Sequence, residues 1–365
     1  MIQEKGDMKY EISGKIASGA FGIVWRVLID GNEYAMKTVK QNDNYAQREE
    51  QLMQKLNHPN IVTYVNSWVS KSSLHLVMEC VSSTVKEYIK TNTFSIESLR
   101  QAVHGIFSGL AYLDTLHICH RDIKPDNILY EPDTNDVKIC DFGCAKELKD
   151  DELNTFYVCS RYYRAPELLL QARKYTTAVD MWSAACTICE MTTQKVLFHG
   201  TDSENHQFSE ISKLLGAPTQ FDYLRMNVPR HRFHGKKTYE LKEVMYGHAQ
   251  YELIDLLSQI FVYNPEKRLK AVDALNHIYF SSLSILDYCI HDVRECMQNG
   301  DSLGVEKCIK HMYSLMEEKH KDELDVQEKL LAIEYKAWIN NPDGQSGRSK
   351  WPSPIAGVFS RIVQS

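Results

Sequence analysis

The sequence predicts an α+β fold of two lobes, a small and mainly β lobe followed by a larger α-helical lobe, with a C-terminal helical extension. Three observations support this prediction. Short alternating runs of apolar residues occupy residues 10–81, apolar residues recur at helical spacing from residue 95 onward, and a chain of 365 residues is too long for a single compact core. We place the small lobe at residues 1–81, the larger lobe at residues 82–282 and the extension at residues 283–365.

The two lobes differ in the period of their apolar residues. In the small lobe, residues 34–39 and 74–78 alternate as strands do, and residues 44–56 show a helix-like pattern between them. Further helices are predicted near residues 178–192, 205–215 and 251–262. One helical face of the larger lobe is predicted from its apolar residues, Leu99, Val103, Ile106, Leu110 and Leu113.

The extension has a helical period of its own, which is broken at residues 299–300 (NG) and 340–344 (NNPDG). This pattern predicts two or three helices, and the polar residues 345–354 predict a loop. Because each helix has one apolar face to bury, we expect the extension to dock on the rest of the chain.

Composition and charge exclude several classes of function. A formal net charge of -6 gives no overall attraction to nucleic acid or to an anionic membrane. We expect neither a signal peptide nor a membrane-spanning segment. The ten cysteines are scattered, and Cys186 and Cys189 lie in an apolar helical run that predicts core packing rather than metal binding. A cytoplasmic or nuclear protein with reduced thiols is therefore expected.

An HRDIKPDN run, followed by the tripeptide DFG, places four chemical groups in the order that phosphoryl transfer needs. Asp122 can accept the proton of an attacking hydroxyl, and Lys124 can neutralise the moving phosphoryl group. Asn127 and Asp141 can hold the magnesium ions that bridge the phosphates of ATP. The order and spacing of these groups predict a site for phosphoryl transfer.

Residues 16–24 (IASGAFGIV) match the glycine-rich pattern G-x-G-x-x-G-x-V except that Ala17 replaces its first glycine. Gly19 and Gly22 would permit close approach of backbone amides to phosphates, and Val24 would cover an adenine ring. Taken alone, the same residues could form an ordinary hairpin turn.

Lys37 ends an Ala-Met-Lys run that is typical of the strand holding ATP phosphates, and such a lysine needs an ionic partner. Glu49, on the helix predicted at residues 44–56, is the preferred partner. Glu50 is its rival, but helical geometry turns adjacent side chains about 100° apart, so only one of the two can face Lys37.

Two further acidic residues are expected to serve the scaffold rather than the chemistry. Glu167 belongs to an Ala-Pro-Glu tripeptide that resembles one in protein kinases, and this resemblance implies that Glu167 pairs with Arg268. Asp180 precedes Trp182 by two residues in the helix predicted near residues 178–192.

Four longer runs of residues together resemble one particular protein family. Residues 76–81 (LVMECV), 140–146 (CDFGCAK), 157–167 (YVCSRYYRAPE) and 214–219 (LLGAPT) resemble the glycogen synthase kinase 3 family of serine/threonine protein kinases. The group that contains this family also holds the cyclin-dependent and mitogen-activated kinases. The resemblance covers about residues 10–282 and leaves out the extension.

The resemblance implies a bilobal protein kinase fold that transfers the γ-phosphoryl group of ATP to protein serine or threonine, with ATP and Mg²⁺ as cofactors. It implies Asp122, Lys124 and Lys37 as catalytic residues, with Asn127 and Asp141 as metal ligands. The residues expected around ATP are Ile16, Gly19, Gly22, Val24, Ala35, Lys37, Glu49, Met78, Glu79, Val81, Leu129 and Cys140.

The resemblance also implies regulation. Tyr157 is the expected activating phosphotyrosine. Arg48, Arg121 and Lys146 stand where the family reads a phosphate already present C-terminal to the target residue. Three converging cations without carboxylate partners would repel one another, and a bound phosphate would relieve that cost. Protein substrates that are already phosphorylated are therefore the expected partners.

Two alternatives remain open at this point. Thr155 and Tyr157 fit the T-x-Y segment of a mitogen-activated kinase, although the CSRY run at residues 159–162 argues against that assignment. The second alternative is a pseudokinase that acts as a scaffold without catalysis. Ala17 in the glycine-rich segment and the extension support it, whereas the presence of all the catalytic residue types argues against it. A scaffold or regulatory protein could bind the larger lobe or the extension, and the basic residues 230–237 replace the Pro-Trp element that the family carries there.

Overall fold

The computed structural model describes residues 2–280, with gaps at 6–7, 20–21, 41–43, 71, 150–151, 202 and 231–234. The predicted helices and docking of the extension lie outside the described residues, as does half of the basic segment 230–237.

The small lobe is a six-stranded sheet in the order β1-β2-β3-β4-β6-β5, and every neighbouring pair is antiparallel. The predicted helix follows β4 in the chain. These elements are β1 (Ile2–Lys5), β2 (Met8–Gly19), β3 (Gly22–Ile29), β4 (Asn32–Lys40), α1 (Asn44–Met53), β5 (Tyr64–Ser70) and β6 (Ser73–Glu79).

The larger lobe is mainly helical, so the predicted two-lobed α+β fold is confirmed. Its helices are α2 (Val85–Tyr88), α3 (Ile96–Thr115), α4 (Pro166–Leu169), α5 (Ala178–Thr193), α6 (Glu204–Leu215), α7 (Gln220–Arg225), α8 (Leu241–Met245), α9 (Tyr251–Ile260) and α10 (Ala271–Ala274). Its strands, in two small sheets ordered β10-β9-β7 and β11-β8, are β7 (Ser83–Thr84), β8 (Ile118–Cys119), β9 (Ile128–Glu131), β10 (Asp136–Ile139) and β11 (Lys146–Glu147). Four 3₁₀ turns occupy Pro125–Asn127, Phe142–Cys144, Arg161–Tyr163 and Ile278–Phe280.

Strand β4 is buried on both of its faces, which fixes the direction of Lys37. Ala35 and Val39 belong to the main apolar core, whereas Met36 belongs to a second cluster on the opposite side of the sheet. Because residues two apart in a strand share a face, Lys37 points with Ala35 and Val39. Its side chain is therefore buried with the main core and not on the outer face of the sheet.

Helix α3 confirms the predicted apolar face, because all five of its predicted residues are buried. The helix begins after Ser95, whose hydroxyl accepts a hydrogen bond from the Ser98 amide at 3.0 Å, a typical N-cap. Helix α5 is buried along almost its whole length, and Cys186 and Cys189 are unbridged within its core, as predicted. Within the described residues, no helix is long and apolar enough to cross a membrane.

Candidate active site

A buried ionic cluster joins three separate elements. The ammonium of Lys37, on β4, lies 2.7 and 2.8 Å from the two carboxylate oxygens of Glu49, on α1. It also lies 2.7 Å from Oδ1 of Asp141, which precedes the Phe142–Cys144 turn. Glu50 turns away and accepts a hydrogen bond from the Ser67 hydroxyl. Of the two candidate glutamates, it is therefore Glu49 that faces Lys37.

Ion pairing favours the charged forms of Lys37 and Asp141 in this cluster. Burial would lower the pKa of Lys37, but Glu49 and Asp141 raise it above its usual range. Burial would raise the pKa of the Asp141 carboxyl, yet Lys37 lowers it overall. Both groups are therefore charged at neutral pH, as a phosphate-binding lysine and a metal-binding carboxylate must be.

Asp122 is almost fully buried and is held from both sides. Its Oδ2 lies 2.7 Å from Nζ of Lys124 and 3.0 Å from Nδ2 of Asn127. Its Oδ1 accepts hydrogen bonds from the Ser160 hydroxyl at 2.9 Å and from the Ser160 amide at 3.0 Å. These contacts hold the Asp122 carboxylate in one orientation. The ammonium of Lys124 lies beside it, where a cation would stabilise a transferring phosphoryl group.

The loop that carries Asp122 is anchored by Asp180, in the first turn of α5. The Asp180 carboxylate accepts hydrogen bonds from the backbone amides of His120 and Arg121 at 2.7 and 2.8 Å. Arg121 has a φ of 66° and Asp141 a φ of 63°, in the left-handed region that costs energy for any residue except glycine. The surrounding structure therefore imposes the backbone bends that bring the two motifs together.

Asn127 and Asp141 offer oxygens that suit a magnesium ion. Asn127 uses its Nδ2 to bind Asp122, and Asp141 uses its Oδ1 to bind Lys37. Within the described residues, Oδ1 of Asn127 and Oδ2 of Asp141 have no hydrogen-bond partner in the structure. Since Mg²⁺ is a hard cation that prefers oxygen ligands, these two atoms fit the predicted metal site.

The glycine-rich segment is the hairpin between β2 and β3, where Gly19 pairs with Gly22. Gly22 has a φ of 118°, and a Cβ there would collide with the carbonyl oxygen of Thr38. The hairpin itself therefore requires Gly22, whatever its role toward phosphate. Ala17 pairs with Val24, so the substituted first glycine lies inside the strand pairing rather than at the tip.

The predicted adenine residues come from both lobes. Glu79 sends its side chain to Lys138, 3.0 Å away, which leaves its backbone as the group available to a base. Ile16 is exposed and Val81 is half-buried. Five of the predicted apolar residues belong to one cluster, Val24, Ala35, Met78, Leu129 and Cys140.

The predicted phosphate pocket differs from expectation in one respect, because one of its cations, Lys146, is already paired with a carboxylate. Nζ of Lys146 is 2.6 Å from Oε1 of Glu152 and 2.7 Å from Oδ1 of Asn154. Hydrogen bonding to Lys146 lowers the pKa of the Glu152 carboxyl, and the positive charges of Lys146, Lys149 and Arg48 lower it further, in that order. The expectation of cations without a carboxylate partner is therefore wrong, because the chain after β11 returns Glu152 to Lys146.

Arg121, the third predicted cation, reaches the same stretch of chain by other contacts. Its Nε donates to the Cys144 carbonyl at 2.6 Å, and its Nη1 lies 3.3 Å from the Tyr175 hydroxyl. The Tyr175 hydroxyl donates in turn to the Thr155 carbonyl at 2.8 Å. Tyr175 therefore links Arg121 to the segment that carries both candidate phosphorylation sites.

Tyr157 is 71% exposed and lies against a cation. The guanidinium of Arg164 is 5.0 Å from the centre of the Tyr157 ring, and Arg164 is also paired with Glu204 at 2.7 Å. The tyrosine hydroxyl is thus accessible to a kinase while its ring is held near positive charge.

Several residues with contacts described above were not assigned a role from the sequence, among them Glu152, Asn154, Ser160, Arg164 and Tyr175. Ser160 was quoted only as part of a family run, although its hydroxyl contacts both Asp122 and Lys124. Neither Asp122 nor Lys124 belongs to that run, so the sequence does not indicate this contact. Nothing in the sequence distinguishes Glu152 from the acidic residues around it.

Comparisons with known proteins agree with this geometry. The family model described as "Protein kinase domain" matches residues 10–280. The chain is 37% identical over 295 residues to "Glycogen synthase kinase 1" of Pyricularia oryzae, and the alignment covers 77% of this chain and 74% of that protein. The chain therefore belongs to the protein kinase family and is a serine/threonine protein kinase of the glycogen synthase kinase 3 type.

Proposed function

We propose that this kinase prefers protein substrates that already carry a phosphate C-terminal to the target serine or threonine. The observation that most supports this preference is that Nζ of Lys146 lies 2.6 Å from a carboxylate oxygen of Glu152, while the charges of Lys149 and Arg48 also lower the pKa of that carboxyl. A site that already binds a carboxylate has the charge and donors to bind a phosphate, which carries more charge and more acceptor oxygens.

The site residues have separate tasks in the proposed mechanism. Asp122 orients the substrate hydroxyl and accepts its proton, and Lys124 stabilises the transferring phosphoryl group. Lys37, fixed by Glu49, positions the ATP phosphates. Asn127 and Asp141 would hold Mg²⁺, which neutralises charge between the β- and γ-phosphates when bound.

The first test removes a pocket cation. Lys146→Ala and Arg48→Ala are each expected to lower kcat/KM on pre-phosphorylated peptides by about tenfold or more, because each removes a charged donor to the phosphate. The same peptides without the phosphate should lose far less. Kinetics on matched primed and unprimed peptides measure the difference.

Lys195→Ala provides the control for lost charge, because Lys195 is an exposed lysine of the same lobe as Lys146. It should leave the ratio between primed and unprimed peptides unchanged. An equal loss on both peptides in Lys146→Ala and Arg48→Ala would contradict the proposed preference.

We also propose that phosphorylation of Tyr157, by the kinase itself, activates the enzyme. A phosphate there adds about -1.5 to -2 charge near Arg164, which can order the segment through charge-assisted hydrogen bonds. Mass spectrometry of the active enzyme is expected to find phosphate on Tyr157 and not on Thr155.

A second candidate is activation by phosphorylation of both Thr155 and Tyr157. The observation that favours it is the contact of Tyr175 with both Arg121 and the Thr155 carbonyl, which places Thr155 near a pocket cation. Active enzyme with both residues phosphorylated would support this candidate against the first.

A further inference from the structure

The ammonium of Lys146 is only partly used by its two neighbours. A lysine has three N–H donors, and those of Lys146 lie near two acceptors, Oε1 of Glu152 and Oδ1 of Asn154. A phosphate oxygen could take the third donor. A phosphate bound to Lys146 would, however, lie near the Glu152 carboxylate, 2.6 Å from the same ammonium, and two anions repel one another.

The two neighbours of Lys146 differ in how firmly they are held. Asn154 is 3% exposed, and its backbone amide donates to the Arg173 carbonyl at 2.8 Å. The Glu152 side chain is 42% exposed, whereas that of Lys146 is 20% exposed. Asn154 is therefore a fixed part of the site, and the Glu152 carboxylate is at its solvent-facing side.

Space is available for the carboxylate to leave. Glu152 and Asn154 line a cavity of about 690 Å³, which also has Lys149 and Lys174 in its wall. These two lysines are exposed and could attract the carboxylate after it leaves Lys146. An ion pair with this much solvent exposure has a small free energy, so a phosphate with greater charge can displace Glu152.

We propose that Glu152 determines selectivity between primed and unprimed substrates by acting as an internal anion. Its carboxylate occupies the cationic site when the substrate carries no phosphate, and it moves away when a primed substrate binds. The inference rests on the proposed preference for primed substrates. It predicts that the native chain binds a priming phosphate less tightly than its cations alone would allow.

Glu152→Gln tests this inference, because it keeps the size and a hydrogen-bond acceptor while removing the charge. We expect KM for a primed peptide to fall about twofold to fivefold, the range expected for loss of a competing exposed ion pair. The ratio of kcat/KM between primed and unprimed peptides should rise by the same factor. Inorganic phosphate, used as a competitor of the primed peptide, should inhibit Glu152→Gln at a correspondingly lower concentration.

Glu147→Gln is the matched control, since Glu147 is exposed, lies in the same segment and loses the same charge. It should leave the ratio unchanged. Suppose that Glu152→Gln leaves the kcat/KM ratio unchanged while Arg48→Ala still loses activity on the primed peptide. The proposed role of Glu152 is then wrong, and the preference for primed substrates is still supported. A lower ratio would show that Glu152 holds Lys146 in place, which also overturns the inference. If the wild-type ratio is near one and Arg48→Ala changes kcat/KM for neither peptide, the proposed preference for primed substrates is itself rejected.

Discussion

Replacing Asp122 by asparagine is expected to lower kcat by about 10²- to 10⁴-fold, the usual contribution of a general base. Asparagine has the size of aspartate, and its Oδ1 can still accept the hydrogen bonds from Ser160, whereas its Nδ2 cannot accept those from Lys124 and Asn127. It cannot take up the proton of the substrate hydroxyl, and it removes the negative charge that lies 2.7 Å from Lys124. The loss should therefore fall on kcat rather than on KM for ATP.

The measurement is steady-state transfer from ATP to a peptide in the presence of Mg²⁺, together with thermal unfolding of both proteins. Asp126→Asn is the control, because Asp126 is exposed, belongs to the same loop and loses the same charge. We expect its kcat to stay within about twofold of the wild-type value, as for most surface substitutions. A kcat near wild type in Asp122→Asn would remove Asp122 from the proposed mechanism.

The site residues that the sequence predicts best are those whose chemistry depends on their separation along the chain. Asp122 and Lys124 are two residues apart in one loop, so their closeness in space follows from the sequence alone. The face of α3 is predictable for a similar reason, since its apolar residues follow the helical period. Glu49 and Glu50 are a harder case, because only the rotation of α1 against β4 decides which of them meets Lys37.

Contacts made by irregular chain are not predictable in this way. Glu152 returns to Lys146 because Asn154 bonds to the backbone of Arg173 and the Thr155 carbonyl bonds to Tyr175. These contacts join residues about twenty positions apart, and no periodic pattern connects them. The sequence therefore predicts the cations of the pocket and not the carboxylate that balances them.

Replacing Glu167 by glutamine is expected to destabilise the fold by about 3–5 kcal/mol, the cost of leaving a buried charge without its partner. The Arg268 side chain is 0% exposed and that of Glu167 is 1% exposed, and their closest atoms are 2.8 Å apart. Arg268 also donates to the carbonyls of Ala178 and Val262, at 2.8 and 3.1 Å. Urea denaturation of the wild type and the variant measures the difference.

Glu266→Gln is the matched control, since Glu266 also pairs with an arginine but at the surface. The Arg225 and Glu266 side chains are 41% and 62% exposed, so loss of this pair is expected to cost less than about 1 kcal/mol. A similar small loss in Glu167→Gln would contradict the assignment of the buried pair to the scaffold.

The double variant Glu167→Leu with Arg268→Met separates the two ways in which the buried pair could matter. If the loss in Glu167→Gln comes from an uncompensated charge, removing both charges together should recover most of the stability, because apolar residues of similar volume often replace a buried ion pair at little cost. If the hydrogen bonds from Arg268 to Ala178 and Val262 are what stabilise the fold, the double variant should be at least as unstable as the single one. Arg268 also lies 5.3 Å from the centre of the Trp182 ring, and methionine preserves an apolar contact there, so that contact should not obscure the comparison.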